Sequence, residues 1–129
     1  MKHIIIAGPG RCGKTTLALN LCQNTNLVHY KFDTIIRGAR KYFYKESPLT
    51  WHEISPLAAG MIDSIISESQ TDIIKNKEYY CIDTCHVYPE DLHKLNLKDT
   101  YIIFLGFPNL TPDVISTLSL SIFILAPRP

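Results

Sequence analysis

The residues at positions 8–15, Gly-Pro-Gly-Arg-Cys-Gly-Lys-Thr, constrain the fold of this chain more than any other stretch. They fit the pattern G-x-x-x-x-G-K-[ST] completely. Residues 2–7 precede them as a short, mostly apolar run that contains three consecutive isoleucines. Residues 16–22 follow, and their apolar side chains recur at helical spacing. The sequence therefore predicts a buried strand, a glycine loop and a helix in direct succession.

A unit of this kind suits a polyphosphate. Three loop glycines allow the backbone to wrap closely around phosphate oxygens and tolerate positive φ. The first turn of the helix adds unpaired N–H groups and the positive end of the helix dipole. Lys14 can reach the β- and γ-phosphates, and the Thr15 hydroxyl can ligate Mg²⁺. The sequence thus predicts a nucleoside triphosphate site with Mg²⁺. The residues predicted to contact the nucleotide are Gly8, Pro9, Gly10, Arg11, Cys12, Gly13, Lys14, Thr15 and Thr16.

Length and composition indicate an ordinary globular protein. The chain has 129 residues, which predicts one domain over residues 1–129. Its hydrophobic fraction is 46% and its charged fraction is 19%, as in folded proteins in general. The formal net charge of +1 provides no general attraction to nucleic acid or to an anionic membrane. We therefore expect neither of these partners.

The four cysteines are expected to be reduced thiols in a cytoplasmic protein. Cys12 lies inside the glycine loop, and we expect no signal peptide, because the first residues lead directly into the apolar run of the first strand. The spacing Cys81-x-x-x-Cys85-His86 suggests zinc, but no second ligand pair follows, so the pattern does not predict a zinc site. The apolar run at 118–126 is much shorter than the roughly 20 residues that a membrane-spanning helix needs.

Further apolar runs predict four more strands, at residues 27–32, 79–83, 101–105 and 120–125. Helical patterns lie between them, at 34–44 and ahead of the third strand. Two helix-start signals compete before that third strand, namely a capping box at Thr50 and Glu53 and the pair Ser55-Pro56. Because a proline inside a helix would break it, we expect a short turn at 51–54 and a helix from Pro56 to about Ser69.

Apolar strands separated by helices predict an α/β fold with a parallel sheet covered on both faces. Ligands on such sheets gather at the carboxyl ends of the strands. Gly8, Asp33, Asp83 and Gly106 all fall at predicted carboxyl ends. The sequence therefore predicts one site that contains all four.

Two acidic residues are candidates for roles in this site. Asp83 is predicted to order Mg²⁺, directly or through a bound water; the alternative is a capping or loop aspartate. Asp33 and Arg37 are predicted to form an acceptor subsite, in which the carboxylate holds hydroxyls or amines and the guanidinium holds an anionic group. The alternative for this pair is a helix cap beside a solvated basic face. His86 and Trp51 are assigned to structure and packing.

These residues resemble the phosphate-loop (P-loop) small-molecule and nucleotide kinases, the group that contains the adenylate, shikimate and gluconate kinases. The likeness covers roughly residues 1–113, and residues 82–91 with 104–108 look like a bacterial set of ATP-binding proteins in this group. The resemblance implies a three-layer P-loop NTPase fold with strand order 2-3-1-4-5. It also implies transfer of the γ-phosphoryl of ATP to a small acceptor. Lys14 would stabilise the transferring group, Thr15 and Asp83 would order Mg²⁺, and Asp33 and Arg37 would meet the acceptor.

The chain departs from that group in one respect. Such kinases carry a lid with arginines between the fourth and fifth strands, whereas residues 108–119 contain no Arg or Lys. We expect either a reduced lid or a truncated chain, and loss of a lid arginine would remove charge stabilisation. Two alternatives to a kinase therefore stay open: a nucleotide-binding module that does not turn over, and an NTP-hydrolysing switch that acts on a macromolecule.

Overall fold

The structure is a computed structural model that describes residues 2–43, 49–69, 78–95, 97, 99–106 and 121–125. Strands and helices alternate along most of the chain, as the sequence predicts. In chain order they are β1 (His3–Ala7), α1 (Lys14–Gln23), β2 (Val28–Lys31), α2 (Phe32–Phe43), α3 (Trp51–Ser69), β3 (Tyr80–Thr84), α4 (Pro89–His93), β4 (Thr100–Gly106) and β5 (Ser121–Leu125).

The five strands form one sheet in the order β2-β3-β1-β4-β5, the order that the resemblance implies. The first four are parallel, and Ile6 at the centre of the sheet pairs with Asp83 on one side and Ile103 on the other. The expected all-parallel sheet is wrong at one edge, because β5 runs antiparallel to β4. An apolar run predicts a buried strand but carries no information about its direction, and an antiparallel edge strand on a parallel sheet is common.

Helices cover both faces of the sheet, as predicted. Successive side chains of a strand point to opposite faces, so β1 contributes to two apolar clusters. Ile6 packs with Ala18 of α1 in the smaller cluster. Ile5 packs in the larger cluster with Phe32 of α2 and Ile62 of α3, both fully buried. The molecule therefore has three layers, with α1 on one face of the sheet and α2 and α3 on the other.

The second strand ends earlier than the sequence suggested. Residues 27–32 were expected to be strand with Asp33 at the carboxyl end, but β2 stops at Lys31 and α2 begins at Phe32. Phe32 has no exposed surface, and its burial in the core fixes the start of the helix against the sheet. Asp33 is therefore a residue of the first turn of α2, still next to the strand end.

The expected turn at 51–54 is also wrong, because α3 is one continuous helix with Pro56 inside it. The glutamate half of the capping box is formed, because the Thr50 backbone N–H donates to Glu53 Oε1 at 3.3 Å. The Thr50 hydroxyl also donates to Glu53 Oε1, at 2.9 Å, and the Glu53 backbone N–H donates to the Thr50 carbonyl at 3.1 Å. Ile54 is buried in the core, which holds the first turn in place. Pro56 is exposed, so the carbonyl that lacks its N–H partner can be hydrated.

Two other expectations concern segments that the structure describes only in part or not at all. The lid interval 108–119 lies outside the described residues, and of the last fifteen residues only the β5 backbone is described. None of the described helices combines the length and the apolar character needed to cross a membrane.

Candidate functional site

The glycine loop joins β1 to α1 through three positive-φ residues. Gly8 has φ 148°, Arg11 has φ 60° and Gly13 has φ 91°. Gly13 precedes α1 in a left-handed conformation and has no side chain that could cap the helix. The N–H groups in the first turn of α1 therefore stay available to bind an anion. A Cβ at Gly8 would lie 2.0 Å from the carbonyl oxygen of Leu105, so a glycine lets the loop pass against β4.

Lys14 is folded back across this loop. Its ammonium donates to the Pro9 carbonyl at 2.6 Å and lies 3.8 Å from the Cys12 sulfur. Lys14 is only 6% exposed, and no carboxylate of the described residues lies within ion-pair distance of its ammonium. Burial of a cation beside neutral partners is costly unless an anion joins it. The loop therefore holds a buried positive charge with no carboxylate partner among the residues that the structure describes.

A cavity of about 430 Å³ opens in front of the loop. This volume lies in the range of ordinary ligand pockets. Four of the side chains around it are cationic and one is acidic, which favours an anionic ligand. The residues that line it are Gly10, Arg11, Gly13, Lys14, Thr15, Thr16, Lys31, Asp33, Arg37 and Cys85.

Most of the predicted site residues therefore meet in one place. Lys14, Thr15 and Thr16 reach the cavity from the start of α1, whereas Asp33 and Arg37 reach it from α2. The loop residues Gly8, Pro9 and Cys12 are not part of the cavity wall; the Cys12 sulfur lies 3.9 Å from the Leu105 carbonyl oxygen and helps to tie the loop to β4.

Asp83 is placed differently from the other predicted residues. It is the penultimate residue of β3 and is buried, and its Oδ2 lies 2.6 Å from His29 Nε2 on the neighbouring strand. It lies on the face of the sheet that α1 covers, the same face as Cys81. Asp83 does not line the cavity that contains Thr15, the other predicted metal ligand.

Asp33, unlike Asp83, lies in the cavity wall and accepts several hydrogen bonds. Its Oδ1 accepts from the Thr84 hydroxyl at 3.0 Å, from the Cys85 backbone N–H at 3.0 Å and from His86 Nδ1 at 2.6 Å. Burial alone would raise the pKa of Asp33. Hydrogen bonds from His86, the Cys85 backbone and Thr84 outweigh burial and lower that pKa well below its ordinary value. Asp33 is therefore an ionised carboxylate at neutral pH, and His86 Nδ1 carries the proton between them.

The thiol of Cys85 lies in the same network. Burial raises the pKa of Cys85 to about 11; the neighbouring Asp33 carboxylate adds to this rise, and Lys14 opposes it. The Cys85 sulfur also lies 3.6 Å from His86 Nδ1. The raised pKa keeps Cys85 a protonated thiol at neutral pH, and this thiol lines the cavity together with the four cationic side chains.

Sequence reasoning missed two residues that line the cavity, Lys31 and Cys85. His86 and Trp51 were assigned to structure and packing, and in the structure His86 bonds to Asp33 while Trp51 stacks on His86 with the ring centroids 5.1 Å apart. A usable signal was present, since Lys31 is the last residue of β2 and Cys85 follows the last residue of β3. The ends of neighbouring parallel strands meet at one edge of the sheet.

No protein-family model, curated protein or solved structure gives a significant match to this chain.

Proposed function

We propose that this chain binds ATP with Mg²⁺ and transfers the γ-phosphoryl group to a small hydroxyl-bearing or nucleotide acceptor. One observation carries the proposal: the Lys14 ammonium is buried in a glycine loop with only neutral partners among the described residues. The triphosphate of ATP supplies the missing negative charge. ATP, rather than another nucleotide, comes from the resemblance to the P-loop kinases.

Each loop residue has a role in this proposal. The α1 N-terminus and the loop backbone hold phosphate oxygens, and Lys14 turns from the Pro9 carbonyl to the phosphates. Thr15 offers its hydroxyl to Mg²⁺, which neutralises charge on the phosphates when it is bound. Asp83 would help to hold the metal, directly or through a bound water, with the carboxylate oxygen that His29 does not contact.

Asp33 and Arg37 form the acceptor end of the same cavity. The depressed pKa of Asp33 makes it a weak base that stays ionised and can accept a hydrogen bond, so it orients the attacking hydroxyl rather than removing its proton early. This division of labour suits phosphoryl transfer, which depends on positioning and charge stabilisation more than on proton abstraction. Arg37 holds an anionic group of the acceptor.

The test is ATP consumption and product formation with panels of small alcohols, sugars and nucleoside monophosphates. We expect Lys14→Ala to abolish transfer, Arg37→Ala to raise the KM of the acceptor, and Lys41→Ala, outside the cavity, to retain wild-type rates. Full transfer by Lys14→Ala would contradict the proposal.

The pairing of Asp83 with His29 favours a second candidate, a nucleotide-binding module without turnover. In this case the Asp83 carboxylate stabilises the pairing of β3 with β2 through His29 and contributes little to Mg²⁺ binding. ATP binding that depends on Lys14, with no phosphorylated product from any acceptor, would identify this function.

A further inference from the structure

We propose that Asp33, Cys85 and His86 form a three-ligand site for a divalent cation of the Zn²⁺ type, with a fourth coordination position open to the cavity. Each residue offers one ligand atom, and the three atoms all lie within 4.8 Å of one another. The residues come from two separate segments, the first turn of α2 and the two positions after β3. The proposal goes beyond the kinase function and does not depend on it.

The spacing of the ligand atoms suits a tetrahedral ion. His86 Nδ1 lies 2.6 Å from Asp33 Oδ1 and 3.6 Å from Cys85 Sγ. Zinc bonds of about 2.0 Å to nitrogen or oxygen and about 2.3 Å to sulfur place ligand atoms roughly 3 to 4 Å apart. The Cys85–His86 distance already lies in this range, and a side-chain rotation that lengthens the Asp33–His86 distance by roughly 0.5 to 1 Å would admit the ion.

The same geometry argues against a nucleophilic triad. In a Cys-His-Asp triad the acid and the thiol bond to opposite ring nitrogens of the histidine. Here both Asp33 and Cys85 approach His86 at Nδ1. Three donor atoms that converge on one point resemble a coordination sphere, whereas a proton relay needs them in a line.

Surrounding residues hold the ligands in this arrangement. Thr84 donates its hydroxyl proton to Asp33 and accepts the backbone N–H of His86 at 3.1 Å. Trp51 lies over the His86 ring with an interplanar angle of 22°, which fixes the orientation of the imidazole. Outer contacts of this kind orient the ligands of metal sites. The side chains of His86 and Asp33 are only 6% and 16% exposed, so neither can leave the cluster freely.

The donor set selects the metal. A thiolate, an imidazole and a carboxylate together favour Zn²⁺ over Mg²⁺, which prefers oxygen ligands and keeps several waters. Asp33 and Cys85 both line the cavity, so the fourth position faces it. Water or an oxygen atom of a bound anion can complete the coordination, with Arg37 in the same cavity wall.

The test uses Co²⁺ as a spectroscopic substitute for Zn²⁺, with the full chain under reducing conditions and without nucleotide. We expect one equivalent of Co²⁺ to give an intense near-ultraviolet thiolate-to-cobalt charge-transfer band, and Zn²⁺ to displace it. Cys85→Ser should lose the band, and Asp33→Asn should weaken Co²⁺ affinity by about tenfold or more. The absence of nucleotide separates a failure here from a failure of the kinase proposal.

Cys22→Ser is the matched control, because Cys22 is also half-buried and interacts with the buried Cys81 thiol. This variant should keep the band. No band in the wild type, or a band that survives in Cys85→Ser, overturns the proposal. Should Cys85→Ser fail to melt cooperatively, Asp33→Asn decides alone, and unchanged Co²⁺ affinity in that variant also overturns it.

Discussion

At the scale of a single residue, Gly8 determines the path of the glycine loop. Its φ of 148° is rare for residues with a side chain, and a Cβ there would meet the Leu105 carbonyl at 2.0 Å. The oxygen belongs to the backbone of β4 and the position of the Cβ is fixed by the loop backbone, so neither atom can move aside cheaply. We expect Gly8→Ala to lower the free energy of unfolding by about 2 kcal/mol or more.

Urea denaturation measures this loss, and Gly10→Ala is the matched control. Gly10 lies in the same loop, but a Cβ there would meet nothing within 4 Å, so its stability should stay close to that of the wild type. Equal stability of the two variants would contradict the account of the loop.

For Asp33, the sequence could predict the position of the residue but not its hydrogen-bond partners. Its place near a strand end was visible in the chain, and the cavity does contain it. Its partners were not visible, because Thr84 and His86 lie more than fifty positions away and meet Asp33 only through the pairing of β2 with β3. Hydrogen-bond networks between distant segments follow from the folded sheet and leave no local pattern.

At the scale of elements, α3 carries a weakness that can be repaired. Gly60 lies in the middle of this helix, is exposed, and has open space where a Cβ would be. Glycine in a helix interior costs backbone entropy relative to alanine. We expect Gly60→Ala to raise the free energy of unfolding by about 0.5 to 1 kcal/mol. Chemical denaturation checks this, and a loss of stability would show that the helix is bent or crowded at Gly60.

Most elements could be predicted from the sequence, and the errors have local causes. The apolar runs located β1, β3 and β4 to within a residue or two, since fully buried strands need continuous apolar sequence. The predicted start of α3 was wrong because tertiary burial of Ile54 and the capping contacts between Thr50 and Glu53 outweighed the local cost of Pro56. The predicted direction of β5 was wrong because the direction of strand pairing depends on the whole sheet and not on the local sequence.

At the scale of the whole molecule, His3 of β1 links two distant elements, β3 and the end of α3. Its Nδ1 accepts the Tyr80 backbone N–H at 3.0 Å, and its Nε2 lies 3.1 Å from Ser69 Oγ. The Ser69 hydroxyl donates to the Ile66 carbonyl, so His3 Nε2 donates to Ser69 and the neutral ring satisfies both contacts. A proton on Nδ1 would oppose the N–H of Tyr80.

The pH dependence of stability follows from this arrangement. Burial lowers the pKa of His3 below its ordinary value of 6.5, although Asp99 opposes the shift. The unfolded chain therefore binds the proton more readily, and the stabilising contribution is present above about pH 6.5 and is lost as the pH falls through the folded pKa. We expect the free energy of unfolding to decrease between about pH 7.5 and about pH 5.5.

Urea titrations at both pH values test this expectation. His3→Asn should be less stable overall but should show a smaller decrease with acid, because it removes the titrating group. His52→Asn is the control, since His52 is exposed, and it should keep the wild-type slope. An unchanged slope in His3→Asn would assign the pH dependence to other groups.

We propose that the buried Lys14 ammonium binds a polyphosphate, and a thermal-shift titration with ATP and Mg²⁺ tests this most directly. A ligand at one hundred times its dissociation constant stabilises a fold by about 2.7 kcal/mol, which raises the midpoint of a domain of this size by several degrees. We predict this rise for the wild type and for Lys41→Ala, and its loss in Lys14→Ala. A cooperative melt of the wild type that ATP and Mg²⁺ do not shift, or an equal shift in Lys14→Ala, would contradict the account.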